Sequence, residues 1–359
     1  MGKLVFFCAG ARRGNLPAGG AKNILVNVPA NGRNGNAVIK TREMMTHFKS
    51  RISMLDSGGF TILKGEEKGK QVSFDPARPL TVSSTNVNLA PRHVIDAAVA
   101  LQPGIMVALD YPIKKIKDPK DQEGEFRKKL PYNISWAIET ARLKKKYCPD
   151  VELFIPIQCY TVKNFSEFIK GIKGISFDGF SMPVRNLRLQ DIAQFLFEFY
   201  NTGVKKVHLL GTSSFMVAAL AAYFSNHHFQ WASLDSVSWR IAGEHGIYLT
   251  PQNLGYISLK GTNLGDKEGI KEKCRCRACR KASFADLMAY PYKDRCLNLW
   301  AHNLHAIETA CHDLHEHSTD LVSLERFLKA RTVKEKKIDE LIRCLEPNGP
   351  DSRRKGLRR

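Results

Sequence analysis

The sequence has no long apolar run. Its most hydrophobic stretch, residues 215–224, is about half a bilayer span and reads as a buried helix, so no membrane association is expected. A secretory leader is not expected either, because the apolar run at 4–9 is short and Arg12 and Arg13 follow it. The myristoylation pattern fails at position 6, where Phe6 stands instead of Ser or Thr. Acidic residues are scarce beside basic ones, 35 Asp and Glu against 55 Lys and Arg, a formal net charge of +20. That balance excludes an acidic solvating protein and favours a polyanionic partner. Cysteine is plentiful, but the nine cysteines are an odd number, and Cys274, Cys276 and Cys279 fall within six residues. Such spacing suits metal binding in a reducing compartment rather than disulfides, so a cytoplasmic location is expected.

With 359 residues, 43% of them hydrophobic, the chain can bury a large core. Short β-rich runs occur at 4–8, 24–28, 52–55, 105–109, 153–157, 175–180, 206–210 and 230–234. Segments of helical periodicity lie between most of them, at 91–101, 136–146, 164–172, 189–200 and 213–223. Strands alternating with helices imply βαβ units and a parallel sheet, and eight of them predict an α/β fold, a (β/α)8 TIM barrel. A doubly wound open sheet is the competing topology. The alternation stops near residue 245, where two short β-like pieces (247–260) lead into a Cys-rich loop and His-rich helical sequence. The expected organisation is a barrel core at 1–244, a zinc-binding subdomain at 245–317 after the eighth strand, and a C-terminal helix with a basic tail at 318–359. One amphipathic helix is predicted over 318–345, with Ser318, Thr319 or Asp320 as its N-cap.

Cys274, Cys276 and Cys279 form a C-x-C-x-x-C cluster. Structural Zn²⁺ takes four N or S ligands in a tetrahedron, so a fourth ligand is required. His302, His305, His312, His315 and His317 are all available downstream, and spacing alone does not separate them. Four protein ligands close the site, which makes the expected zinc structural.

Chemistry in a (β/α)8 barrel sits at the C-terminal ends of the strands. Those positions hold Asp56, Asp110, Gln158, Gly211 and Asp235. Taken singly, a strand-end Asp is more often a capping residue. Three carboxylates and an amide on one face instead suit work on a glycosidic bond, one carboxylate attacking the anomeric carbon and another handling the leaving group's proton. Gly58 and Gly59 after Ser57 would let a flat ring approach the backbone.

Together these residues resemble the tRNA-guanine transglycosylase superfamily, over about residues 50–310. The likeness rests on Asp56-Ser57-Gly58-Gly59-Phe60, the apolar strand ending in Asp110, and Gln158 within residues 155–159. It continues through residues 177–180, Gly211, Asp235 and the C-x-C-x-x-C followed by His302 and Asn303. The resemblance implies a (β/α)8 barrel with a zinc subdomain and a base-exchange reaction. Asp235 would be the nucleophile toward C1′ of a target nucleotide, and Asp56 the general base for an incoming 7-deazaguanine such as preQ0 or preQ1. Asp110 and Gln158 would hydrogen-bond the base edge, beside Ser57, Gly58, Gly59, Phe60 and Gly211. The family's zinc-binding His lies in a His-Asn pair, which selects His302. The target nucleotide would have to leave its stack to reach such a pocket.

Several positions depart from the family pattern. Thr61 stands where Gln is usual, residues 181–184 replace a Gly-Gly-Leu-Ala segment, and Gly243-Glu244-His245-Gly246 replaces a Gly-Arg-Asn-Gly. The first fifty residues also lack the usual N-terminal motifs. These changes spare the carboxylates and fall on base-substituent and tRNA contacts. DNA is therefore favoured over tRNA as the polymer, as in relatives, often phage or bacterial, that insert 7-deazaguanines into DNA; a phage protein would act in the host cytoplasm. Lys144, Lys145, Lys146 and the basic tail at 353–359 are expected to hold the phosphate backbone, and a homodimer is compatible with the resemblance. A noncatalytic partner subunit of the same fold is disfavoured by the presence of all three aspartates. A saccharide-cleaving barrel is disfavoured by the basic charge.

Overall fold

The computed structural model describes residues 2–10, 22–28, 52–67, 72–73, 80–82, 87–260 and 274–346. The chain opens with three parallel strands, β1 (Lys3–Ala9), β2 (Asn23–Asn27) and β3 (Ile52–Asp56), and helix α1 (Phe60–Glu67) follows. A small antiparallel sheet of β4 (Val72–Ser73), β5 (Leu80–Val82) and β6 (Val87–Leu89) then stands apart from the other strands. Alternation runs through α2 (Pro91–Leu101), β7 (Ile105–Val107), α3 (Pro119–Tyr147), β8 (Glu152–Pro156), α4 (Val162–Gly171), β9 (Gly179–Pro183) and α5 (Leu189–Asn201). It ends with β10 (Lys206–Leu210), α6 (Phe215–His227), β11 (Trp231–Ser236) and α7 (Ser238–Glu244). Eight of these strands close into a parallel barrel in the order β1-β11-β10-β9-β8-β7-β3-β2.

Alternate residues of each strand point inward, as the two-residue period requires. Phe7, Leu25, Met54, Val107, Phe154 and Trp231 fill the barrel interior, with Phe7 and Phe154 both edge-on to Trp231. The opposite faces meet the helices, where Phe165, Phe180, Phe195 and Phe199 pack ring against ring. Burying large aromatic rings in such a layer is the main source of its stability.

Beyond the barrel come a hairpin, β12 (Ile247–Leu249) and β13 (Tyr256–Ser258), then α8 (Arg277–Lys281), α9 (Phe284–Ala289) and the long α10 (Tyr292–His317). Ala306, Ile307, Ala310, Cys311 and Leu314 on the second half of α10 belong to the main barrel core, and the helix packs against α6, α7 and β1. One rigid rod therefore serves both the outer helical layer and the Cys-rich module. No helix among the described residues is long and apolar enough to cross a membrane.

The eight-stranded parallel barrel matches the sequence expectation, and the β-like pieces at 247–260 form the β12–β13 hairpin. Three local differences have physical causes. The sixth strand lies at Gly179–Pro183, not 175–180, because Gly174 turns the chain at φ +94° and Asp178 accepts a hydrogen bond from the Leu153 N–H. Helix α3 begins at Pro119, well before residue 136, with Asp118 capping the N–H groups of Lys120 and Asp121 and an internal Pro131 that hid the continuity. The single helix predicted over 318–345 is two, α11 (Leu321–Ala330) and α12 (Glu335–Leu345), split where Thr332 adopts φ 57°. Asp320 is the cap that α11 uses, accepting from the Ser323 N–H. The basic tail at 353–359 and most of the first fifty residues lie outside the described residues.

Candidate active site and metal centre

Parallel closure brings the ends of distant strands to one mouth. Asp56 is the last residue of β3, Asp235 is the penultimate residue of β11, and Asp110 and Gln158 follow just after β7 and β8. Gly211 directly follows β10. Ser57, Asp110, Gln158 and Asp235 are buried, whereas Asp56 is half-buried and the Phe60 ring is exposed.

Asp110 is the hub of the arrangement. Its Oδ1 accepts from Ser57 Oγ at 2.6 Å, and its Oδ2 accepts from Gln158 Nε2 at 2.6 Å. Ser57 Oγ also accepts from the Gly59 N–H, and Gln158 Oε1 from the Ile113 N–H. Each carboxylate oxygen has a second lone pair and Gln158 keeps a second amide hydrogen, so the pair still has capacity for a ligand's polar edge. Gly58 takes a positive φ of 79°, and a Cβ at Gly59 would meet Asp110 Oδ1 at 2.4 Å. The two glycines thus serve a tight turn and a close approach to Asp110, a local cause distinct from the expected approach of a flat ring.

The carboxylates influence one another. Burial, with the charges of Asp110 and Asp235, raises the Asp56 pKa from 3.8 to about 7. Burial raises Asp110 to about 6, a rise that the bonds from Ser57 and Gln158 hold in check. Asp235 is held differently: its Oδ1 accepts from the Gly211 N–H at 2.7 Å. That backbone group is therefore committed to Asp235 here. Gly211 has φ +77°, the turn that aims its N–H at the carboxylate.

A buried scaffold behind β7 was invisible to sequence reasoning. Asn133 on α3 clamps the backbone next to Asp110, accepting from the Tyr111 N–H at 2.7 Å and donating to the Tyr111 carbonyl at 3.2 Å. Lys129 is enclosed and paired with Glu66 of α1 at 3.0 Å and Glu125 at 3.2 Å, and the Tyr111 hydroxyl donates to Glu66. These residues tie α1, which starts in the Ser57–Phe60 turn, to α3. They lie on or contact the half of α3 that periodicity missed. Asp118 followed by Pro119 was the available signal for that half.

Exposed cations line the same mouth. Lys114, Lys115 and Lys117 follow β7, Lys163 opens α4, and Arg185 and Arg188 follow β9. Lys115 stands over the Tyr160 ring at 4.5 Å and Arg188 pairs with Asp191. Lys144, Lys145 and Lys146 are elsewhere. They end α3 just before the N-terminal end of β8, and Lys144 donates to the Pro149 carbonyl there. The helix runs antiparallel to the strands, so this basic run is at the end of the barrel away from the carboxylates. The expectation that it serves the pocket fails on topology.

Cys274, Cys276, Cys279 and His302 come together and are all buried, their ligand atoms within 4.8 Å of one another. His302 Nδ1 lies 3.3–3.5 Å from the three sulfurs. A tetrahedron with Zn–S of about 2.3 Å and Zn–N of about 2.0 Å has N···S edges of roughly 3.5 Å, so the donor set is sized for a metal. His302 Nε2–H donates to the Leu249 carbonyl at 2.8 Å, leaving Nδ1 for a metal. Tyr248 stacks on the His302 ring at 3.6 Å and its hydroxyl lies 3.3 Å from Cys279 Sγ. Asn303 accepts from the Leu249 N–H and donates to the Trp239 and Ile247 carbonyls, fixing α10 against the hairpin. The other candidate histidines are elsewhere: His305 and His312 are exposed, His315 contacts Ser225, and His317 stacks on Phe327.

No protein-family model matches the chain, and no curated protein matches its sequence.

Proposed function

We propose that the protein is a nucleic-acid guanine transglycosylase, a pentosyltransferase of the tRNA-guanine transglycosylase superfamily. It would exchange guanine for a 7-deazaguanine base, with DNA favoured over tRNA as the polymer. One observation carries the reading: three aspartates share the C-terminal mouth of the barrel, yet each is held in a different environment. Asp235 is gripped at Oδ1 by a backbone N–H, Asp110 is paired with Gln158 and Ser57, and Asp56 titrates near neutrality. Unlike environments for neighbouring carboxylates are how one site divides nucleophile, binder and proton carrier.

The chemistry follows from that division. Asp235 attacks C1′ of an everted nucleotide through its free oxygen, and the bond from C1′ to guanine breaks. Asp56, protonated below about pH 7, delivers its proton to the departing guanine. The incoming 7-deazaguanine then loses its proton to the Asp56 carboxylate and attacks C1′, releasing Asp235. Asp110 and Gln158 hold the base edge in both steps. The cations on the loops after β7 and β9 give the polymer's phosphates a place beside the pocket.

Zinc is the metal we assign to Cys274, Cys276, Cys279 and His302. Three thiolates and an imidazole suit it, and with four protein ligands it would be structural, joining the loop to α10. DNA is favoured because Thr61, residues 181–184 and residues 243–246 depart from the family where the base substituent and tRNA are contacted.

The test is incubation with labelled DNA or tRNA and a 7-deazaguanine, followed by assay of guanine release and a denaturant-resistant adduct. Asp235→Asn should abolish both. Guanine release at the parent rate by that variant rejects the nucleophile assignment, and cleavage of a simple glycoside without exchange in either polymer rejects the whole reading.

A further inference from the structure

Directly beneath Asp235 the barrel interior holds a polar group that the mechanism above does not use. His208, in the middle of β10, is fully enclosed. Its Nδ1 lies 2.7 Å from Ser233 Oγ, and its Nε2 lies 3.2 Å from Asp235 Oδ1. The ring sits edge-on to Phe7 at 5.7 Å, which fixes its plane. Nε2 makes no aligned hydrogen bond among the described residues, and neither does the hydroxyl of Ser181, the register partner of His208 on β9. Leaving a buried polar atom unsatisfied costs on the order of 1–3 kcal/mol, and a barrel interior whose packed cluster is Phe, Met, Leu, Ile, Val, Ala and Trp could avoid that cost with an apolar side chain. Ser233 cannot act as a nucleophile from this position, because it is fully enclosed below the aspartate.

We propose that His208, oriented by Ser233, is the positioning residue for Asp235, presenting an Nε2–H to Oδ1 from below while the Gly211 N–H holds the same oxygen from the side. The proposal rests on the reading of Asp235 as nucleophile. The single Ser233 hydroxyl hydrogen has two acceptors in reach, His208 Nδ1 at 2.7 Å and the Val207 carbonyl at 3.4 Å; given to the nearer, it makes Nδ1 the acceptor and selects the tautomer with hydrogen on Nε2. Two donors on Oδ1 leave Oδ2 facing the pocket, so attack on C1′ proceeds from one oxygen in one orientation. A small turn of the carboxylate completes the His208 bond, as catalytic hydrogen bonds often tighten once substrate is bound. The same donor lowers the energy of the carboxylate again when it leaves in the second half-reaction.

The test uses the full-length protein with DNA and tRNA as alternative polymers. His208→Leu should slow single-turnover adduct formation about tenfold to hundredfold, the worth of a hydrogen bond to a charged group, with polymer affinity unchanged. His208→Gln, whose side-chain amide can place a donor near Nε2, should recover most of the rate. Adduct formation at the parent rate by His208→Leu, or a Gln variant as slow as Leu, overturns the proposal. If the parent itself forms no adduct with either polymer, the transglycosylase reading is what has failed, and the contact is then judged on its own. Histidine ¹⁵N NMR of the parent should find hydrogen on His208 Nε2, with a resonance that moves in Asp235→Ala. A ring protonated only on Nδ1 overturns the proposal whatever the activity, and needs no variant to fold.

Discussion

Gly59 lies so close to Asp110 that a Cβ on it would come within 2.4 Å of the Asp110 Oδ1 and 2.8 Å of its carbonyl oxygen. The turn after β3 and the end of β7 are thus one packed unit, although the two residues are far apart in sequence. Gly59→Ala should therefore push Asp110 away from Ser57 and Gln158. We expect a loss of about 1–3 kcal/mol in stability, the usual cost of overpacking, and a larger loss of base binding. Denaturant midpoints and titration with a 7-deazaguanine check both.

Stability should depend on pH through Asp56 and Asp110. Both titrate higher in the folded protein, about 7 and about 6 against an ordinary 3.8, so the folded state binds more protons than the unfolded chain between those values. Their contribution is therefore most favourable at low pH and is lost as pH rises from about 4 to about 7. Asp56→Asn removes the larger part. Its melting temperature relative to the parent should rise between pH 5 and pH 8, as thermal melts at matched ionic strength will read.

The same proton has a kinetic consequence. Guanine release uses protonated Asp56 and should slow above about pH 7, whereas resolution of the adduct by the incoming base uses the carboxylate and should quicken. Measuring the two half-reactions separately across pH is decisive. Parallel profiles would reject a shared proton carrier.

Metal removal should reach beyond the Cys-rich loop. His302 lies on the helix whose second half packs in the barrel core, and Cys276→Ser or chelation frees one end of that helix. We expect one bound zinc per chain by elemental analysis. On chelation, hydrogen exchange should accelerate first in 274–302 and then along α10.

The position of the basic residues separates two ends of the barrel. Lys115→Ala and Lys117→Ala should each weaken polymer binding and lower the salt-dependence slope by about one, the effect of losing one phosphate contact. Lys144→Ala should leave the slope unchanged, since that residue stands at the far end. Fluorescence anisotropy over a range of salt concentrations distinguishes them.

Much of this was legible in the chain itself. Eight β-rich runs alternating with helical periodicity specify a parallel barrel, because few other arrangements bury both faces of so many parallel strands. Strand-end position then marks Asp56, Asp110, Gln158 and Asp235 as neighbours at one mouth, and C-x-C-x-x-C announces a metal. Spacing alone left five histidines open and the resemblance pointed to His302; the tertiary structure brings that histidine to the cysteines, because the hairpin and Tyr248 cover its face of the helix. The first half of α3 was hidden by Pro131 and its charges, and with it went Lys129 and Asn133, which brace the residue after Asp110. Lys144–146 looked like a partner of the pocket until helix direction set it at the opposite end. His208 is the clearest case: it is one histidine in an apolar strand until closure of the barrel sets it under Asp235. Periodicity and local spacing are properties of neighbouring residues and so belong to the sequence. Which strand ends share a carboxylate's field depends on how the sheet closes, and only the folded barrel decides it.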